Sequence, residues 1–229
     1  MVYEIFGFIF TVYIMTNKSI ADIRINYSQK QLLEEDADRD PVQQFGKWWK
    51  EAVESEILEV NAMTLATASS DGIPAARIVL LKDFSEKGFV FFTNYESFKA
   101  QQLADNPKAC LVFFWKELER QVRITGLVQQ VPALESDEYF HSRPEGSRIG
   151  AITSPQSHVI ESRQWLDDLY KKNTLLFSGK KIERPVYWGG YMVRPVVIEF
   201  WQGRPGRLHD RLQYTLQENN VWKLERLAP

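Results

Sequence analysis

The sequence predicts an α+β fold that is mainly β: an antiparallel barrel with helices packed around it. Three observations carry that expectation. Five strand-like runs follow one another between residues 62 and 131, mostly joined by tight turns, which favours antiparallel pairing over a parallel sheet. Aromatic residues make up 13% of the chain, with 7 Trp, 9 Tyr and 14 Phe, which suits a β-rich core or a site for a flat ring. No internal repeat, low-complexity tract or break in composition divides the chain.

The composition excludes several classes. At 229 residues, 44% hydrophobic and 25% charged, the chain has the balance of a soluble globular protein rather than a disordered one. Lys and Arg number 28 against 30 Asp and Glu, and a net charge of −2 argues against a general nucleic-acid binder. The one cysteine, Cys110, cannot form an internal disulfide, which fits a reducing compartment. With three His, a structural zinc site is disfavoured.

The elements follow in order. Met1–Met15 is almost wholly apolar, but the uncharged run Ile5–Asn17 is too short to span a bilayer. No basic residues precede it as a signal peptide requires, although Ser19-Ile20-Ala21 resembles a cleavage site. Residues 1–26 read as an extension before a single domain, 27–229. Asn26–Glu35 reads as a short helix. Asp40-Pro41-Val42-Gln43 is a helix start, with Asp40 as cap, Pro41 in the first position and Gln43 placed for a capping box. Val42, Phe45, Trp49 and Val53 form one apolar face at helical spacing.

The period then changes to two. Ala62–Ala68, Pro74–Lys82, Gly88–Thr93, Ala109–Trp115 and Gln121–Val131 read as strands. Ser69–Gly72 and Asp83–Gly88 read as turns, and Ser97 as the cap of a helix ending near Asp105. Leu134–Ser142 and Ser162–Lys172 read as helices, with Arg143–Glu161 irregular between them and Asn173–Val186 a linker. Tyr187–Arg194, Val196–Trp201, Gln213–Gln217 and Val221–Arg226 complete the strands.

The chemistry-bearing residues are mostly basic. No dinucleotide or nucleotide-triphosphate glycine loop is present, and no nucleophile elbow. Arg77 and Lys82 bracket an apolar strand, so each must reach water or meet an anion. Lys99 sits in the first turn of its helix, where the dipole disfavours a cation unless an anion is bound; a surface lysine is the alternative. Tyr139, Arg143 and Ser147 cluster at a helix end and either grip a phosphate or only answer the helix dipole. Arg207, His209 and Arg211 alternate and, in an extended segment, share one face. Three such groups repel unless they share an anionic ligand. Taken alone, these residues describe a barrel protein that binds something phosphorylated.

Nine motifs in order make the chain resemble the pyridoxamine 5′-phosphate oxidase family. They are Arg77-Ile78-Val79-Leu80-Leu81-Lys82, Phe91-Phe92-Thr93-Asn94, Arg120-Gln121-Val122-Arg123, Tyr139-Phe140-His141-Ser142-Arg143-Pro144, Pro155-Gln156-Ser157, Trp188-Gly189-Gly190-Tyr191, Glu199-Phe200-Trp201-Gln202-Gly203, Arg207-Leu208-His209-Asp210-Arg211 and Glu225-Arg226-Leu227-Ala228-Pro229. The resemblance implies an FMN-binding split β-barrel, antiparallel and Greek-key-like with peripheral helices, working as a cytoplasmic homodimer with FMN at the interface. It places FMN on Arg77, Ile78, Val79, Leu80, Phe92, Thr93, Lys99, Gln121, Gln156, Ser157, Trp201 and Arg211, partly from the second subunit. It places the substrate on Lys82, Tyr139, Arg143 and Ser147, with Arg207 and His209 over it as the catalytic pair.

The implied reaction converts pyridoxamine or pyridoxine 5′-phosphate to pyridoxal 5′-phosphate. A hydride passes from substrate C4′ to flavin N5, and dioxygen reoxidises the flavin to give hydrogen peroxide. No nucleic acid, membrane or metal is implied. One residue departs from the resemblance: the family usually carries Arg before this lysine, and here Phe98 precedes Lys99, so weaker FMN binding is expected. A non-catalytic FMN or pyridoxal-phosphate carrier and a split-barrel flavin reductase are the competing readings.

Overall fold

The computed structural model describes residues 26–229, so the expected extension lies outside the described residues except for Asn26. The helix expected over Asn26–Glu35 is absent; the segment is irregular, with a turn from Glu34. Its backbone N–H groups find tertiary partners instead of helical ones. Ser28 and Gln29 donate to the Glu119 carboxylate, and Leu32 donates to Asp210.

Asp40 does cap α1 (Pro41–Glu54), accepting from the N–H groups of Val42 and Gln43. The buried face is turned from the expected one: Phe45, Trp48 and Ala52 are buried beside Val42, Trp49 is at the core's edge and Val53 is exposed. Trp48 draws the face round because it packs edge-on against Phe200 and lies under the Arg120 guanidinium.

The strands are β1 (Ala62–Ala68), β2 (Pro74–Leu80), β3 (Asp83–Ser85), β4 (Gly88–Asn94), β5 (Lys108–Trp115), β6 (Arg120–Gln130), β7 (Trp188–Gln202), β8 (Asp210–Leu216) and β9 (Trp222–Arg226). All pair antiparallel, along the path β2-β1-β5-β6-β7-β4-β3, with β8 on β7 and β9 on β8. The two ends of that path, β2 and β3, are separated in the chain only by Leu81 and Lys82. Such a connection spans at most about 11 Å, so the sheet must curl until its edges meet. The Lys82 N–H donates to the Val90 carbonyl (2.9 Å) across that seam. The expected turn at Asp83–Gly88 therefore holds a short strand as well.

One long strand, β7, replaces two expected ones. Its first half pairs with β4 and its second half with β8, while β6 runs along its other edge. Pro195 falls where the first partner ends and the second has not begun, opposite a bulge at Thr125/Gly126. A residue with no N–H to donate is tolerated there and does not break the strand. A side chain at Gly126 would meet the Arg194 carbonyl at 2.1 Å, so the bulge requires glycine.

Inside the curl, Phe45, Phe89, Phe113 and Trp115 pack ring against ring with Leu65, Leu111 and Ile124. Four helices lie outside the sheet in chain order: α2 (Phe98–Asp105), α3 (Ala133–Ser142), α4 (Glu145–Thr153) and α5 (Arg163–Phe177). The stretch read as irregular contains α4, and α5 runs five residues past Lys172 into the expected linker. A smaller core of Phe140, Ile149, Ile182 and Trp188 lies beneath α3 and α4.

Candidate active site

A cleft of about 670 Å³ lies outside the barrel wall, between β2, β4 and the helices α2–α4. That is the size of a pocket for a small ligand or two stacked rings. From the strands it takes Ile78, Val79, Leu80, Phe92 and Thr93, and from the link between β2 and β3 it takes Lys82. Phe89 and Phe91 point into the barrel, so the alternation of β4 turns Phe92 to the cleft.

One end of the site is built on Lys99. Its ammonium is buried and donates to Thr93 Oγ1 (3.1 Å), Ser97 Oγ (3.1 Å) and Gln156 Oε1 (3.3 Å). All three partners are neutral. Burial, and then the nearby Arg77 charge, lower its pKa to about 8. Arg77 is half-buried and donates to Thr67 Oγ1 (2.6 Å) and the Leu65 carbonyl (3.2 Å); burial lowers its pKa too. Among the described residues no carboxylate pairs with either cation. Two like charges drawn together without a counter-ion mark a site for an anion. Ser97 does not cap α2 with its side chain as expected. Its hydroxyl donates to the Asn94 carbonyl and accepts from Lys99, so it supports the cation instead.

A second cationic group comes from the helices. Arg143 follows α3 and Ser147 lies in the first turn of α4, both lining the cleft with Tyr139. Tyr139 stacks on Phe92 at 4.0 Å between ring centroids, and Phe92 lies nearly parallel to Trp188 at 5.6 Å. Arg143 also lacks a carboxylate partner among the described residues, and its Nη1 is buried without a hydrogen bond. Burial lowers its pKa.

The remaining predicted residues stand elsewhere. Ser157, in a left-handed conformation (φ 74°), is exposed beside Gln156 and does not line the cleft. Gln121, Trp201 and Arg211 lie side by side on β6, β7 and β8, on the outer face of the sheet. The expectation that Arg207, His209 and Arg211 share one face of an extended segment is corrected. Arg207 sits in a tight turn at φ 63°, exposed, and only Arg211 is in a strand away from its end. Arg211 already has an anion, the buried Glu199 carboxylate, to which its Nε donates at 2.9 Å. His209 lies 4.6 Å from the Trp201 ring, with Tyr27 edge-on to both. Its Nδ1 accepts the Arg204 N–H (3.1 Å), and burial and then Arg207 lower its pKa. Within one chain, none of these six lines the cleft, nor does Arg77, which stands beside Lys99. Sequence reasoning missed Trp188 and Asn94 as lining residues; the Trp188-Gly189-Gly190-Tyr191 motif was the available signal.

Residues 49–172 match the family model described as pyridoxamine 5′-phosphate oxidase. The chain belongs to the pyridoxamine 5′-phosphate oxidase family. Residues 188–229 match a second model, the pyridoxine 5′-phosphate oxidase C-terminal dimerisation region. A pyridoxine/pyridoxamine 5′-phosphate oxidase of Cyanothece is 56% identical over 211 residues, covering 92% of this chain and 99% of the relative. The chloroplastic pyridoxine/pyridoxamine 5′-phosphate oxidase 1 of Arabidopsis thaliana is 53% identical over 92% of this chain, which matches 40% of that longer protein. Among solved structures, PhzG of Burkholderia lata, in complex with tetrahydrophenazine-1-carboxylic acid, superposes with a TM-score of 0.81 at 28% identity, covering 86% of this chain and 98% of PhzG. An FMN-binding, pyridoxamine 5′-phosphate oxidase-related protein of Nostoc punctiforme shares the fold at 16% identity, with a TM-score of 0.69 over 84% of this chain and all of its own. The split-barrel architecture expected for the family is the one observed. Among the described residues, no helix is long and apolar enough to cross a membrane.

Proposed function

We propose that this chain is an FMN-dependent oxidase that converts pyridoxamine and pyridoxine 5′-phosphate to pyridoxal 5′-phosphate. One observation carries the reading: a single cleft is lined by cations that no carboxylate among the described residues neutralises, Lys99 on one element and Arg143 on another. A phosphorylated cofactor and a phosphorylated substrate supply the missing anions. The residues present fit FMN, because Lys99 and Arg77 hold buried positive charge beside the apolar wall of Ile78, Val79 and Leu80. Relatives matched over nearly their full length carry the same activity in their names.

Bound FMN supplies hydride acceptance from substrate C4′ and reoxidation by dioxygen. The chain supplies position and charge. Lys99 and Arg77, with Thr93 and Gln156, hold the cofactor's phosphate side. Lys82, Tyr139, Arg143 and Ser147 hold the substrate's phosphate, and the Tyr139–Phe92–Trp188 stack excludes water from one wall. Fixing both anions turns the encounter into an intramolecular one, which is mainly a proximity effect.

Gln121, Trp201, Arg207, His209 and Arg211 come from a second copy of the chain, which fits their place outside their own cleft and inside or beside the matched dimerisation region. Arg207, exposed and free of a carboxylate partner among the described residues, stabilises negative charge on the substrate. Burial and then Arg207 disfavour the charged form of His209, and its Nδ1 accepts the Arg204 N–H, which leaves Nε2 to carry the proton of the neutral ring. It therefore acts as a hydrogen-bond donor from Nε2. Residues 27–229 are the catalytic unit, with 1–26 an extension to it, and the site of action is cytoplasmic.

The test is spectroscopic. The purified protein shows a flavin spectrum, and anaerobic pyridoxamine 5′-phosphate bleaches it. Bound flavin that is not bleached leaves the carrier reading; bleaching only by a reduced nicotinamide leaves the reductase; failure to bind FMN removes all three.

A further inference from the structure

Beyond its place in the wall of the cleft, Trp188 lies against a residue the chemistry needs. The Arg143 guanidinium carbon lies 4.7 Å from the Trp188 ring centroid and 6.0 Å from that of Phe140. With no carboxylate partner among the described residues and a buried, unpartnered Nη1, the ring faces are what Arg143 rests on.

Arg120 supplies the contrast within the same molecule. It also lies over a tryptophan, Trp48 at 4.2 Å, but it donates to Glu51 and Gln202 as well, and it is buried. A carboxylate fixes an arginine and cancels its charge together. An aromatic face fixes the guanidinium plane and leaves both its charge and its N–H edge for a ligand.

Trp188 is itself held firmly. It is buried, nearly parallel to Phe92 at 5.6 Å and edge-on to Phe140 at 5.2 Å. Its carbonyl accepts from Arg184 Nη1 (2.6 Å), while Arg184 Nε donates to Asp137 on α3 (2.6 Å). Two residues on, the Gly190 N–H donates to Ser136 Oγ on α3 (3.1 Å). The start of β7 is thus bolted to the helix that ends in Arg143, which presets the ring beneath the guanidinium before any ligand arrives.

We infer that Trp188 is a positioning residue for the phosphate group of the substrate, acting through Arg143 by holding its guanidinium on the ring face without neutralising it. The inference rests on the reading that Arg143 grips the substrate phosphate.

The experiment is a double-mutant cycle on the FMN-loaded protein, with pyridoxine 5′-phosphate as substrate and FMN affinity followed by flavin fluorescence. Trp188→Leu is expected to raise KM about tenfold while kcat changes less than about threefold and FMN affinity less than about twofold. Trp188→Phe, which keeps a ring face, restores KM to within about threefold of the parent. In an Arg143→Ala background, adding Trp188→Leu raises KM by less than about twofold, because the residue it acts through is gone. An unchanged KM in Trp188→Leu overturns the inference. So do effects that multiply fully with Arg143→Ala, or a loss of FMN affinity that Trp188→Phe does not repair. A parent protein that does not oxidise the substrate removes the proposed function and this inference together; an active parent with independent effects removes the inference alone.

Discussion

The cations of the C-terminal strands and those of the cleft obey opposite rules. Around β7–β9, Arg226 donates to both oxygens of Glu34 (2.7 Å each) and to Asp210 (2.8 Å), and Arg211 and Arg123 share Glu199. These pairs tie the N-terminal segment and the last strands to the barrel. The Glu34 carboxyl, held chiefly by its hydrogen bonds from Arg226, is lowered to about 2. In the cleft Lys99 and Arg143, and beside it Arg77, have no charged partner among the described residues, and each has its pKa lowered by burial. A paired cation stabilises the fold; a buried unpaired one destabilises it until a ligand brings the counter-charge. The difference marks the cleft cations as lacking a counter-charge within their own chain, whereas Arg211, proposed for the neighbouring copy's site, already has Glu199.

The largest expected effect sharpens the structural side. Arg120→Ala strips a buried guanidinium from Glu51, Gln202 and Trp48, and is expected to cost about 3–5 kcal/mol in urea unfolding. On the cleft side, Lys99→Met removes an unpaired buried charge. The apo protein should be no less stable by the same measurement, while FMN binding weakens by about 1.5–3 kcal/mol in a fluorescence titration. If Lys99→Met unfolded the apo protein as readily as Arg120→Ala does, the two classes would not be distinct.

Phe98 tests the same contrast by addition. It is 53% exposed at the first position of α2, immediately before Lys99. Phe98→Arg is expected to tighten FMN binding by about 1–3 kcal/mol, and an unchanged dissociation constant would sink that expectation.

The last effect is set by pH. The folded pKa of Lys99, about 8, lies below the 10.5 of a lysine in the unfolded chain, so the unfolded chain binds more protons between these values. Apo stability should therefore rise as pH climbs from about 8 to 10.5, while FMN affinity falls over the same window by up to about tenfold per unit. Parallel trends in the two measurements would break the assignment of Lys99 to the anion.

Much of the fold was readable along the chain because local rules decided it. Asp40-Pro41 starts α1 whatever lies around it, and the Ser69–Gly72 turn is built, as its sequence suggests, on Gly72 at φ 87°. The alternation of β1, with every second residue buried, survives intact. The errors lie where partners are distant. Pro195 reads as a strand break and is harmless because it falls at the fork of β7. α4 was hidden because Ile149 and Thr153 are its only fully buried residues, too few for a periodic signal.

The site divides in the same way. Residue types and order alone raised the expectation of phosphorylated ligands, because cations such as Arg77, Lys82, Lys99 and Arg143 among apolar neighbours must reach water or meet an anion, and the family resemblance then suggested which of them would bind. Only the tertiary structure decided which cations remain unneutralised. Glu199 reaches Arg211 through strand register, Trp188 reaches Arg143 through the packing of β7 on α3, and Arg207 leaves the face of its neighbours at a left-handed turn. Charge is a property of the residue, but its compensation depends on groups that folding brings from elsewhere in the chain.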